Sequence, residues 1–279
     1  MSSNDHTQWA HQYGPWAVVA GGSEGVGAEF AAQLAAAGVN LVLIARKPEP
    51  LRQTADRCRA RGVLVRELAL DLSGGDAAAR VIEATSDLEV GLLIYNAGAN
   101  THSAAFLDGD LAAFGGVLAL NVTTPLALIH HFGRPMRVRR RGGLLLVGSL
   151  TGYLGSARQT VYGGAKAFTR IYAEGLWLEL RDDNVHVLEL VLGVTRTPAM
   201  QRAGLNFDVP GLRISDPADV AREGLDRLPH GPVHVMSDHA ASPALRAGPD
   251  RAEAVLASHR LMQKLLRTDP GNTDAPATR

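Results

Sequence analysis

Short apolar runs alternate with longer segments of helical period along most of this 279-residue chain, and that alternation constrains the fold more than any other feature. The runs are WAVVA (16–20), NLVLIA (40–45), VLVRELA (63–69), VGLLIYN (90–96), GLLLVGS (143–149), HVLELVL (186–192) and PVHVMS (232–237). Their length and their Val, Leu and Ile content suit strands buried on both faces. Segments 25–37, 51–61, 76–85, 111–137, 160–181 and 217–227 carry helical period between them. Strand and helix in turn predict βαβ units, hence one doubly wound α/β domain: a parallel seven-stranded sheet with helices on both faces.

Element ends carry their own signals. Gly38 and Gly62 follow two of the helices where a left-handed residue is wanted, and Ser73 and Asp216 are candidate N-caps. Residues 1–14 read as a flexible polar arm and 15–240 as the domain. Residues 241–279 read as a C-terminal extension, in which 250–266 is an amphipathic helix and TDPGNTDAPATR a disordered tail. Pro198, Gly204, Pro210 and Gly211 make the stretch 195–217 irregular, and it is expected as a mobile lid over the carboxyl edge of the sheet.

Charge and composition narrow the partners. Lys plus Arg equals Asp plus Glu, at 28 each, so no global field favours nucleic acid or an anionic membrane. Arg137, Arg139, Arg140 and Arg141 sit at a helix C-terminus, where cations complement the macrodipole. His130 and His131 are adjacent and diverge on a helix, so no metal is expected. Cys58 is the single cysteine, which excludes an internal disulfide and fits the cytoplasm. No signal-peptide pattern and no run of roughly 20 apolar residues is visible, so no integral membrane segment is expected.

Directly after the first run comes GGSEGVG, with Gly21, Gly25 and Gly27 spaced G-x-x-x-G-x-G before a helix. Glycines there permit a tight turn, and the amides of Ser23 and Val26, with the positive end of the helix, could hold a pyrophosphate. This is the placement of a Rossmann-type dinucleotide turn. The second strand ends at Ala45-Arg46-Lys47, where an acid would bind a free ribose 2′-hydroxyl and a guanidinium suits a 2′-phosphate. The expected cofactor is NADP(H). Glu24, inside the turn, is a contrary charge.

Tyr162 and Lys166 stand at i and i+4 in YGGAK, on one helix face. A cation beside a phenol favours phenolate, which suits general acid–base work. Ser149, at the end of a buried run upstream, could hydrogen-bond a carbonyl or carbinol oxygen and orient it toward Tyr162.

Taken in this order, from Trp16 to about Met236, the motifs resemble the short-chain dehydrogenase/reductase family. The resemblance implies a tetrad of Asn121, Ser149, Tyr162 and Lys166, with Asn121 in NVTTP holding a water that links Lys166 to solvent. It also implies cofactor contacts from Asp71 and Leu72, from Asn96-Ala97-Gly98, and from Val194 and Thr197 in GVTRT, and a homodimer or homotetramer built through segments 111–137 and 160–181. Ala20, Tyr95 and Leu192 depart from the family's usual threonine, asparagine and proline. Leu192 implies a freer entry to the lid, and Gly163 and Gly164 leave room beside Tyr162, which points to a roomy, apolar substrate pocket.

The expected activity is hydride transfer between NADP(H) and a small-molecule carbonyl or secondary alcohol. A non-catalytic NADP(H)-binding redox sensor is the alternative, and a nucleic-acid-binding protein using the arginine run is a third reading.

Overall fold

The computed structural model describes residues 9–247 and 251–266. Seven parallel strands form one sheet: β1 (Trp16–Ala20), β2 (Asn40–Ala45), β3 (Val65–Ala69), β4 (Val90–Tyr95), β5 (Gly142–Ser149), β6 (Val185–Leu192) and β7 (Val233–Val235), in the order β3-β2-β1-β4-β5-β6-β7. The strand order reverses between β1 and β4, and in such sheets the crevice at the carboxyl ends beside the reversal takes the ligand.

The helices are α1 (Gly25–Ala36), α2 (Pro48–Arg59), α3 (Ala77–Ala84), α4 (Leu111–Leu118), α5 (Thr124–Arg139), α6 (Thr160–Leu180), α7 (Pro198–Arg202), α8 (Pro217–Arg227), α9 (Ser242–Arg246) and α10 (Arg251–Leu266). One buried cluster joins the sheet to α1, α2 and α8 through Phe30, Leu34, Leu51 and Val220; the other joins the opposite face to α3, α5 and α6 through Val81, Leu128, Met136 and Ala173. Gly38 and Gly62 have φ of +77° and +88°, as helix-ending glycines should. Asp216 caps α8 by accepting from the Ala218 amide at 2.8 Å.

Several expectations are corrected. Ser73 does not cap α3, which starts after Asp76; its amide and hydroxyl instead donate to Asp71. The segment 111–137 is not one α-helix: a π-helical turn, Ala119–Thr123, separates α4 from α5. Residues 9–13 are helical and Tyr13 is buried against the core, so the arm cannot extend to residue 14; residues 1–8 lie outside the described residues. Residues 267–279, where the tail was expected, do too.

Among the described residues, the stretch 111–139 is, by length and composition only, apolar enough to cross a membrane. Here it packs on β4 and β5, and 44% of its most apolar window is buried. The arginine run at its end is matched locally, with Arg141 on Glu89 at 2.6 Å and Arg140 on Asp183 at 3.2 Å.

Phe30 is fully buried where α1 meets α8 below the glycine turn. Phe30→Ala is expected to lower unfolding free energy by about 3–5 kcal/mol, read as a drop in the urea midpoint at unchanged slope.

Candidate active site

The turn after β1 brings backbone to backbone. Gly21 and Gly25 have φ of +83° and +55°. A Cβ on Gly21 would lie 2.9 Å from the Ala97 nitrogen, and one on Gly27 would strike the Gly21 carbonyl. Asn96 closes the turn by donating from Nδ2 to the Gly21 carbonyl at 3.0 Å. Val26 is buried in the first turn of α1, and Ser23, half-buried, accepts from Thr54 Oγ1 at 3.0 Å through its carbonyl.

The far side of the crevice is set by β2 and β3. The Arg46 side chain is 61% exposed and lies 4.0 Å from Asp71, too long for a tight ion pair. Burial pushes the Asp71 carboxyl up, but the two Ser73 hydrogen bonds and Arg46 outweigh it and leave it below its ordinary value. Leu72 is buried, and its carbonyl accepts from Thr124 Oγ1 at 2.9 Å, tying the end of β3 to the start of α5.

At the centre, the π turn directs Asn121 inward. Its Nδ2 donates to the Val117 carbonyl at 2.9 Å and to the Ala99 carbonyl at 3.1 Å, while buried Oδ1 has no partner. A Cβ on Gly98 would sit 2.9 Å from that oxygen and 2.6 Å from Lys166 Nζ. A single glycine thus keeps open the space that Asn121 and Lys166 share. Tyr95, on the departure from asparagine, donates from its hydroxyl to the Leu120 carbonyl at 2.7 Å and so holds the π turn.

Lys166 is 6% exposed and donates to the Val147 carbonyl at 2.9 Å, with Nζ 5.7 Å from the centre of the Tyr162 ring. Burial lowers its ammonium to about 8, against an upward pull from Glu189. Ser149 acts on the Tyr162 phenol, and its Oγ donates to Thr151 Oγ1 at 3.1 Å. The phenol is raised, first by burial, with Ser149 opposing. Lys166 together with an oxidised nicotinamide is expected to lower this phenol; in the protein by itself, burial sets the direction.

Thr197 caps α7, accepting from the Met200 amide at 3.2 Å, and its Cγ2 would lie 3.0 Å from a Cβ on Gly25. Val194 precedes it, its carbonyl bonded by the Ser215 amide at 2.9 Å. The segment 195–217 therefore lies directly on the glycine turn. Arg202 on α7 clasps both oxygens of Glu24, so the contrary charge inside the turn is neutralised by the segment above it. Leu192, where the family usually has proline, pairs with Ser149 and packs on the core.

Sequence reasoning missed three residues. Arg202 carried no motif. Glu189 was a charge hidden in an apolar run; it is 1% exposed, and burial raises its carboxyl to about 7 although Lys166 and Arg170 pull it down. His239 is buried against Gly193, so closely that any Cβ on that glycine would collide with its ring.

The glycine cradle, the open Arg46 and the orphaned Asn121 oxygen fit a nicotinamide dinucleotide. Gly21, Ser23, Gly25, Val26 and Gly27 would hold its pyrophosphate, Arg46, Asp71 and Leu72 its adenosine end, and Asn96, Ala97, Gly98, Val194 and Thr197 its nicotinamide half. Among the described residues no cluster of His, Cys, Asp or Glu could hold a metal ion.

Comparison with known proteins agrees with this geometry. Residues 15–206 match the family described as short chain dehydrogenase. A 7beta-hydroxysteroid dehydrogenase of Clostridium sardiniense is 32% identical over 218 residues, covering 78% of this chain and 83% of its own. A solved structure of a 7beta-hydroxysteroid dehydrogenase superposes with TM-score 0.81 at 27% identity, covering 89% of this chain and 98% of its own. A short-chain dehydrogenase from Sphingobium yanoikuyae in complex with NADPH gives TM-score 0.73 at 27% identity, covering 94% and 99%. The chain belongs to the short-chain dehydrogenase family, and its chemistry is oxidoreduction between carbonyl and alcohol with a nicotinamide cofactor.

Two predictions follow from the local electrostatics. Arg202→Ala removes the clasp on Glu24, so amide hydrogen exchange in residues 198–205 should accelerate while β1 and β4 are unchanged. Glu189, with its folded pKa near 7 above an ordinary 4.5, stabilises the fold below about pH 4.5, and that contribution is lost as pH rises through 7. Glu189→Gln should therefore raise Tm at pH 8, by about 2–4 °C for each kcal/mol relieved, and by clearly less at pH 5. An equal gain at both pH values would refute the assignment.

Proposed function

We propose that the protein is an NADP(H)-dependent oxidoreductase that interconverts a hydrophobic carbonyl compound and its secondary alcohol, with Tyr162 as general acid–base. The observation that carries this reading is the convergence of Tyr162, Ser149, Lys166 and Asn121 at the carboxyl edge of the sheet, with Lys166 and Asn121 meeting at Gly98. When bound, the nicotinamide would supply or accept the hydride. Ser149 orients the substrate oxygen, and Tyr162 gives that oxygen its proton in reduction and removes it in oxidation. Lys166 stabilises the phenolate left behind. A recess lined by Tyr95, Asn121, Val147, Lys166 and Thr169 supports Asn121 as the point where Lys166 exchanges protons with solvent.

Support for NADP(H) over NAD(H) comes from exposed Arg46 and Lys47 at the end of β2, from the lack of an acid there, and from the NADPH-bound relative. Support for a bulky apolar substrate comes from the hydroxysteroid dehydrogenases that the chain resembles. Leu118 on α4 and Phe168, Ile171 and Leu178 on α6 are exposed, and such apolar helix faces support a homodimer or homotetramer.

Calorimetric titration at one ionic strength tests the cofactor: NADPH should bind at least about tenfold tighter than NADH, about 1.4 kcal/mol, and Arg46→Ala should erase most of that gap. Against a panel of steroid and other bulky ketones, Tyr162→Phe should lower kcat by about 100-fold or more with NADPH affinity nearly unchanged. Full turnover by that variant would overturn the mechanism. Tight NADPH binding without turnover on any carbonyl would favour the redox-sensor reading.

A further inference from the structure

Glu189 occupies a position where the pattern of β6 calls for an apolar side chain. Val185, Val187 and Val191 share its face of the strand and are all fully buried. That face lies under α6, where Val185 and Val187 pack with Ala173 and Leu180. A carboxylate there is costly unless something compensates it.

Two features of the fold accommodate it. The neighbouring strand β5 has Gly148 where any side chain would collide with the Glu189 carboxylate, so the glycine makes its chamber. The register sets Glu189 opposite Leu146 and Leu190 opposite Val147, and it is the Val147 carbonyl that accepts from Lys166 Nζ at 2.9 Å. The ammonium reaches down from α6 onto β5, and the carboxylate stands on the adjacent strand β6, one register step away. Glu189 Oε2 has no hydrogen-bond partner, so its strongest compensation is electrostatic.

We propose that Glu189 is a positioning residue of the proton-transfer site: its carboxylate is the buried counter-ion that keeps the Lys166 ammonium charged and seated on the Val147 carbonyl, facing Tyr162. The proposal rests on the Tyr162–Lys166 reading of the site. It adds a charge balance to it. Burial alone drives Lys166 toward the neutral amine, and a neutral amine is a poor stabiliser of phenolate.

Other charges face this chamber. Lys166, Arg170 and Glu174 occupy successive turns of α6, and Tyr153 reaches in from the turn after β5 with the Arg170 guanidinium 4.1 Å from its ring centre. Arg170 draws the Glu189 carboxyl down and Glu174 pushes it up, both less strongly than burial does. Among the groups acting on Lys166, Glu189 is the opposing charge.

The chain has three lysines, Lys47, Lys166 and Lys264, so lysine labelled with carbon-13 at Cε gives three resonances that can be titrated in the intact protein without cofactor or substrate. Lys166→Arg identifies the signal of interest. The wild-type Lys166 resonance should titrate near pH 8 with an earlier inflection near pH 7, as Glu189 ionises. In Glu189→Gln the inflection should vanish and the midpoint fall by about one unit, whereas Glu174→Gln should keep both. If Glu189→Gln does not fold, the wild-type inflection decides alone. An unmoved midpoint in Glu189→Gln, or a wild-type curve without the inflection, overturns the proposal. Because no turnover is measured, failure of the carbonyl panel leaves this result standing, and an unmoved Lys166 leaves the Tyr162 chemistry standing.

Discussion

Backbone meets backbone between the turn after β1 and the end of β4, and the rest of the site depends on that approach. Gly21 and Gly27 have no room for a Cβ, and the Asn96 amide bonds the turn directly. The approach fixes the start of α1, so that its unpaired amides face the crevice where the strand order reverses. It also fixes Gly98, whose missing side chain leaves the space onto which Asn121 and Lys166 open. A bulkier residue at any of these points would displace two elements at once.

Around this apolar, close-packed frame the molecule buries a small amount of charge. Lys166 and Glu189 lie within the sheet and its covering helix, and burial shifts each toward its neutral form while their mutual attraction opposes this. The same low polarity that makes these groups costly also strengthens their interaction. At the surface the balance is different. The Glu24–Arg202 clasp is half-exposed and screened by solvent, so it contributes little.

The fold was largely legible because burial on both faces of a parallel sheet leaves apolar runs that few other structures require. The three glycines were legible because positive φ and close backbone approach demand them, and the shared helix face of Tyr162 and Lys166 because their spacing is i, i+4. The single helix expected over 111–137 failed at Asn121, because a π turn depends on partners far away: Ala99, and Tyr95 bonded to Leu120. Ser73 failed as a cap because Asp71, a side-chain acceptor two residues back, competes for its hydroxyl and amide. Glu24 read as a defect in the glycine turn because its partner Arg202 lies far along the chain.

Periodicity and glycine placement, which act within one strand or one turn of helix, are written locally, and from them the sequence by itself determined the parallel α/β architecture, the position of the dinucleotide turn and the Tyr-Lys helix face. Only the tertiary structure decided which charges face one another. The register of β5 against β6 set Glu189 beside Lys166, and the path of the 195–217 segment set Arg202 on Glu24. Electrostatic partnership depends on distance and burial, and both are properties of the packed chain rather than of any segment of it.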